Sequence, residues 1–133
     1  MTGVRQLQAY RQNQLSTADP GTILLMLYDG ALESLRGAVS QLAKGDMGEK
    51  GICILRSHDI ITQLLASLDY DVGGELAHNL EGLYRYMLDQ ILIANVKNDP
   101  RPLEQVIGLL ATLKDGWEAA VVVQRKKVAE GGA

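Results

Sequence analysis

Glu75 and His78 form one Glu-x-x-His pair, the i, i+3 spacing by which di-iron carboxylate bundles hold their metals. Such a site needs a second pair and two more inward carboxylates. His58 follows Leu55 at that spacing instead of an acid, and the first and last apolar stripes contain no Glu, so no metal is expected. Glu75 reads as an acid favoured by the positive end of its helix, and His78 as a surface histidine. Cys53 and His58 offer a thiolate and an imidazole, but five residues apart on one helix they lie about 140° apart. Cys53 therefore reads as core. Gly73-Gly74 has no strand before it and no Lys after it, which makes it a turn and not a phosphate-binding loop. Asp29 beside Tyr28 reads as a solvated carboxylate on a helix flank, not an acid–base centre. No catalytic constellation, cofactor site or enzyme activity is expected.

The elements that position these residues follow from punctuation and period. Asp19-Pro20 reads as an N-cap followed by Pro at the first helical position. Behind it Leu24, Leu27, Tyr28, Ala31, Leu35, Ala38 and Leu42 recur at steps of three or four until Gly45. Asp46 and Glu49 have capping-box spacing ahead of Cys53, Ile54, Ile60, Ile61, Leu64, Leu65 and Leu68, a stripe closed by Gly73-Gly74. The third stripe is Leu76, Leu80, Leu83, Tyr84, Met87, Ile91 and Ala94, up to Asn98. Asp99-Pro100 repeats the first start ahead of Leu103, Val106, Ile107, Leu110, Leu113, Trp117 and Val121. The pattern predicts an all-α chain: a short N-terminal arm (residues 1–18), an antiparallel up-down four-helix bundle (19–128) and a frayed tail (129–133). The helices are expected at about 20–44, 47–70, 74–97 and 100–127, and the short connections make neighbours antiparallel.

Composition narrows the class. A length of 133 residues suits a single domain, and 47% apolar with 22% charged residues fits neither a disordered chain nor a disulfide scaffold. With no Phe and one Trp, the core must come from Leu, Ile, Val, Met and Ala. A single cysteine and a polar N-terminus make a cytoplasmic location the expectation. Residues 23–28 are the longest apolar run, too short for membrane insertion, and the net charge of −3 opposes nucleic-acid binding.

What remains is apolar surface that a bundle does not require. Projected at 100° per residue, Ile52 and Leu55 fall opposite the second stripe, Tyr86, Ile93 and Val96 away from the third, and Ile23 and Met26 outside the first. The last two stand beside Gly30 and Gly37, whose missing Cβ atoms would admit another backbone. Such residues suit grooves that accept amphipathic helices, or a homodimer interface. In the arm, Val4, Leu7 and Tyr10 recur every three residues and would cover such a groove.

These residues resemble the FliS family of flagellar secretion chaperones. The likeness runs from Ala9-Tyr10, Asn13, Thr17 and Pro20 into Leu25-Met26-Leu27-Tyr28-Asp29-Gly30-Ala31. It continues through Leu64, Ser67-Leu68-Asp69, Gly73-Gly74, Leu76-Ala77, Asn79-Leu80, Leu83-Tyr84 and Tyr86-Met87 to Ala94-Asn95, Asn98-Asp99 and Trp117. Two features depart from it: Gln6-Leu7-Gln8 replaces the usual Asn-Pro of the arm, and Pro100 and Pro102 stand together. The resemblance implies a four-helix bundle and a non-enzymatic, cytoplasmic protein. Such a protein binds the disordered C-terminal segment of flagellin, prevents premature polymerisation and helps deliver it to the flagellar type III export apparatus. Export gate protein and an anti-sigma factor are the further partners it brings into view. On this reading Ile23, Met26, Ile52, Leu55, Tyr86, Ile93 and Val96 contact the client, and Leu7 and Tyr10 belong to an arm that packs on the bundle. The alternative is a homodimeric helical adaptor without chaperone activity.

Overall fold

The computed structural model describes residues 19–131; the predicted arm with Val4, Leu7 and Tyr10, and the last two residues of the predicted tail, lie outside them. Four helices follow one another: α1 (Pro20–Lys44), α2 (Met47–Ala66), α3 (Tyr70–Lys97) and α4 (Pro100–Gly131). Aspartates start all of them. Asp19 accepts from the Thr22 amide at 2.8 Å, Asp46 from Glu49 at 3.1 Å, Asp69 from Asp71 at 3.0 Å and Val72 at 3.1 Å, and Asp99 from Arg101 at 3.0 Å. Each bond satisfies a first-turn N–H that has no partner within its own helix.

Helix ends differ from the sequence expectation in three places. α2 stops at Ala66, because Ser67 caps it and Asp69 at once caps the next helix. α3 thus begins at Tyr70, four residues before the position the glycine pair suggested. Gly74 lies inside it at φ 51°, ψ −125°, a conformation closed to L side chains, and so it kinks the helix instead of ending it. α4 runs past Lys127 to Gly131, since no Gly or Pro stands between Trp117 and Glu130 to stop it; through Gly131 the expected tail is helix.

The helices pack in a ring, α1 on α2, α2 on α3, α3 on α4 and α4 on α1, which is the antiparallel four-helix bundle expected. The core is Tyr28, Ala31, Leu35 and Ala38 against Ile54, Ile61, Leu64, Leu80, Tyr84, Met87, Ile91, Ala94, Leu103, Val106 and Leu110. Leu76, counted into the third stripe, is 55% exposed, two residues beyond the kink at the bundle's end, with neighbours on fewer sides. At the core's centre the hydroxyls of Tyr28 and Tyr84 are hydrogen-bonded at 2.5 Å, so two buried polar groups satisfy each other across α1 and α3. Burial pushes both phenols above the ordinary tyrosine range, partly offset in Tyr28 by the hydrogen bond with Tyr84.

What approaches Gly30 and Gly37 is α2 of the same bundle, through its side chains. A Cβ on Gly37 would stand 3.0 Å from Cys53 Sγ, and one on Gly30 3.2 Å from Ile60 Cδ1. These glycines serve internal packing, and Ile23 and Met26 beside them are half-buried, not exposed as projected.

Two outcomes follow. Gly37→Val overpacks the α1–α2 contact and is expected to lower stability by about 1–3 kcal/mol, whereas Gly108→Ala, on an open helix face, raises it by about 0.5–1 kcal/mol; urea unfolding reads both. The tyrosine pair also sets a sign: above pH ~10 the unfolded phenols ionise while the folded ones stay neutral, so unfolding free energy falls with rising pH. A Tyr28→Phe, Tyr84→Phe double variant is expected to show a shallower fall in the same urea titrations.

Candidate functional site

The chemistry-bearing residues are dispersed by the fold. Cys53 faces Gly37 of α1, and His58 stays half-buried farther along α2. His78 lies 3.9 Å from Glu81, not beside Glu75, and its ring rests 4.8 Å from that of Tyr70. Tyr70 donates to Glu81 at 3.0 Å, and that bond, followed by the one from Arg85, holds the Glu81 carboxyl below its ordinary range. Asp29 pairs with Lys114 across α1 and α4. Among the described residues no three His, Cys, Asp or Glu side chains are grouped to hold a metal.

Apolar side chains are exposed in several places, Val72 and Leu76 near the start of α3 included, and at two other places they line hollows. Lys50 at the start of α2 bonds to Asn95 and Asn98 at the end of α3, so these two helix ends lie side by side. Ile52 and Leu55 therefore share one end of the bundle with Ile93 and Val96, and all four are exposed, Val96 by 82%. Leu92, Ile93, Val96 and Lys97 line a shallow depression of about 250 Å³ there. Leu92 was absent from the sequence reading; its signal is its place four residues before Val96, one turn along the same face. Tyr86 stands apart, nearly two turns earlier, and its hydroxyl donates to Gln105 of α4 at 3.0 Å.

The second place is at the opposite end, where α1 begins. Pro20 and Gly21 with Val121, Gln124, Arg125, Val128 and Ala129 of α4 line a groove of about 600 Å³. Gly21 makes it possible: a Cβ there would come within 2.9 Å of Val121 Cγ2. At its rim Arg125 donates to Thr22 Oγ1 at 2.8 Å and lies 3.6 Å from the Asp19 carboxylate. The Thr22 amide first, and Arg125 with it, keep Asp19 below the ordinary carboxylate range, so the rim stays charged while the floor is apolar. Sequence reasoning placed Val121 in the core and left Val128 unassigned. Ile23 and Met26 lie about half a turn and one and a half turns beyond this groove on α1, apart from the other candidates. No described helix is long and apolar enough to cross a membrane.

Comparison with known proteins gives a consistent result. The family model described as flagellar protein FliS matches residues 3–124. The chain is 39% identical over 116 residues to the flagellar secretion chaperone FliS of Vibrio cholerae, covering 84% of this chain and 85% of that one. It is 35% identical over 118 residues to the FliS of Bacillus subtilis, with coverages of 89% and 87%. A crystal structure of a bacterial flagellar chaperone shares the fold at a TM-score of 0.73 and 22% identity, over 90% of this chain and 97% of that one.

Because the depression on α3 is open surface, Leu92→Gln with Val96→Gln is expected to change unfolding free energy by less than about 0.5 kcal/mol while lowering the fluorescence of an added apolar-patch dye. Ile91→Ala, one residue away but buried, should cost about 2–5 kcal/mol.

Proposed function

The chain belongs to the FliS family of flagellar secretion chaperones, and from that premise we propose that its client is the disordered C-terminal segment of flagellin. The observation that carries this reading is the separation of the two apolar surfaces. One lies at the α1–α4 side where α1 begins, the other around the ends of α2 and α3 at the far end of the bundle. α1, with 25 residues at 1.5 Å each, sets the distance along the bundle at roughly 35 Å. A compact ligand does not reach both surfaces, whereas an extended chain laid around the bundle does.

The physics of the task suits that shape. Ordering a disordered segment costs several kcal/mol of the contact energy, so many shallow apolar contacts serve better than one deep pocket. A flagellin terminus polymerises through an apolar face, and a chaperone that covers this face competes with polymerisation directly. The client holds its apolar side on Ile52, Leu55, Ile93 and Val96, with Tyr86, Ile23 and Met26 farther along its path. The protein acts in the cytoplasm, before export, without enzymatic chemistry, and hands its client to the type III export gate. An anti-sigma factor is a second client of the same kind.

Calorimetric titration with a peptide covering the C-terminal segment of the same organism's flagellin tests this. Saturable binding with a gain in helicity by circular dichroism is expected. Ile52→Asp with Ile93→Asp should weaken it at least about tenfold, since each charge removes one buried side chain's contribution. Unchanged affinity in a folded double variant would remove these residues from the site. A stable dimer that ignores the peptide would favour the homodimeric adaptor.

A further inference from the structure

Lys50 is the one buried charged residue among those described, 6% exposed, and no carboxylate lies within ion-pair distance of it there. Its ammonium is held by α3 alone: Nζ donates to the Asn95 carbonyl at 3.2 Å and to Asn98 Oδ1 at 2.7 Å. Asn95 O is among the last carbonyls of α3, where the helix dipole favours a cation, and Asn98 is the left-handed residue that closes the helix at φ 51°. An apolar side chain would fill this space without the cost of desolvating a charge, so stability alone does not explain a lysine here. A buried charge with a fixed set of acceptors adds to apolar packing a directional constraint on register. Sliding α2 along α3 would strip both acceptors from the ammonium, a penalty added to that of the displaced apolar packing.

The position of this lock matters. Lys50 precedes Ile52 by two residues and Leu55 by five, and its acceptors flank Val96 on either side. We propose that Lys50 is a positioning residue for client binding: through Asn95 and Asn98 it sets α2 against α3 so that Ile52 and Leu55 stand level with Leu92, Ile93 and Val96 as one apolar surface. This rests on the client reading above, and it adds that the surface is pre-organised by a polar contact beneath it.

The test separates register from stability. Lys50→Met keeps length and removes the donors; Asn98→Gly keeps the left-handed conformation and removes the side-chain acceptor. Each is expected to weaken binding of the flagellin C-terminal peptide about tenfold, the double variant no more than the worse single one, while the melting temperature of Lys50→Met stays at or above that of the parent. Wild-type affinity in Lys50→Met, or a loss that only tracks lost helicity, overturns the proposal. A second measurement needs no client: spin labels on Leu55→Cys and Leu92→Cys in a Cys53→Ala background report the register. A narrow distance distribution that shifts or broadens with Lys50→Met supports the proposal, and an unchanged one overturns it. A parent protein that binds no peptide but shows this shift sinks the client reading and not the lock.

Discussion

A helix in a four-membered ring turns one face inward, so each can bury a stripe about two residues wide and no more. Everything else in this molecule depends on that limit. The inward stripe is filled by Leu, Ile, Met, Ala and the hydroxyl-paired Tyr28 and Tyr84, with no Phe to add bulk. Ile52, Leu55, Leu92, Ile93 and Val96 exceed what the ring can enclose, and they remain in water. A single exposed apolar residue needs no explanation; several gathered on two adjoining helix ends, with a second apolar groove at the opposite end, are what the proposed client would cover.

The same limit explains which parts of the fold were legible in the sequence. Period and caps act over a few residues, so the core stripes and the starts at Asp19, Asp46 and Asp99 could be read directly. Asp69 could not, because Gly73-Gly74 looks like a terminator, and only the chain's path reveals that Gly74 kinks a helix already under way. Leu76 was misplaced since projection knows the angle of a side chain but not whether the bundle still surrounds it. Ile23 and Met26 failed for the opposite reason: both lie off the core stripe in projection and yet are half-buried in the fold. The groove at Pro20, Gly21, Val121 and Val128 was invisible because it joins residues a hundred positions apart. The roles of Leu7 and Tyr10 belong to a segment outside the described residues.

On the proposed reading, function is carried by shape and register more than by reactive groups. Among the described residues its histidines and cysteine are scattered, its buried Lys50 ammonium joins the ends of α2 and α3, and its charged rim at Asp19 and Arg125 borders an apolar floor. That combination suits recognition of a chain which is itself apolar on one side and disordered when free.

The central claim is that the outward apolar residues are the ones a client covers. Methyl NMR of the protein with and without the flagellin C-terminal peptide tests it most directly, since every Ile, Leu and Val reports separately. The account predicts large shifts at Ile52, Leu55, Leu92, Ile93, Val96, Val121 and Val128, with the buried methyls of Ile61, Ile91 and Leu110 nearly unmoved. Saturated peptide that leaves the outward methyls in place, and shifts others instead, would contradict it.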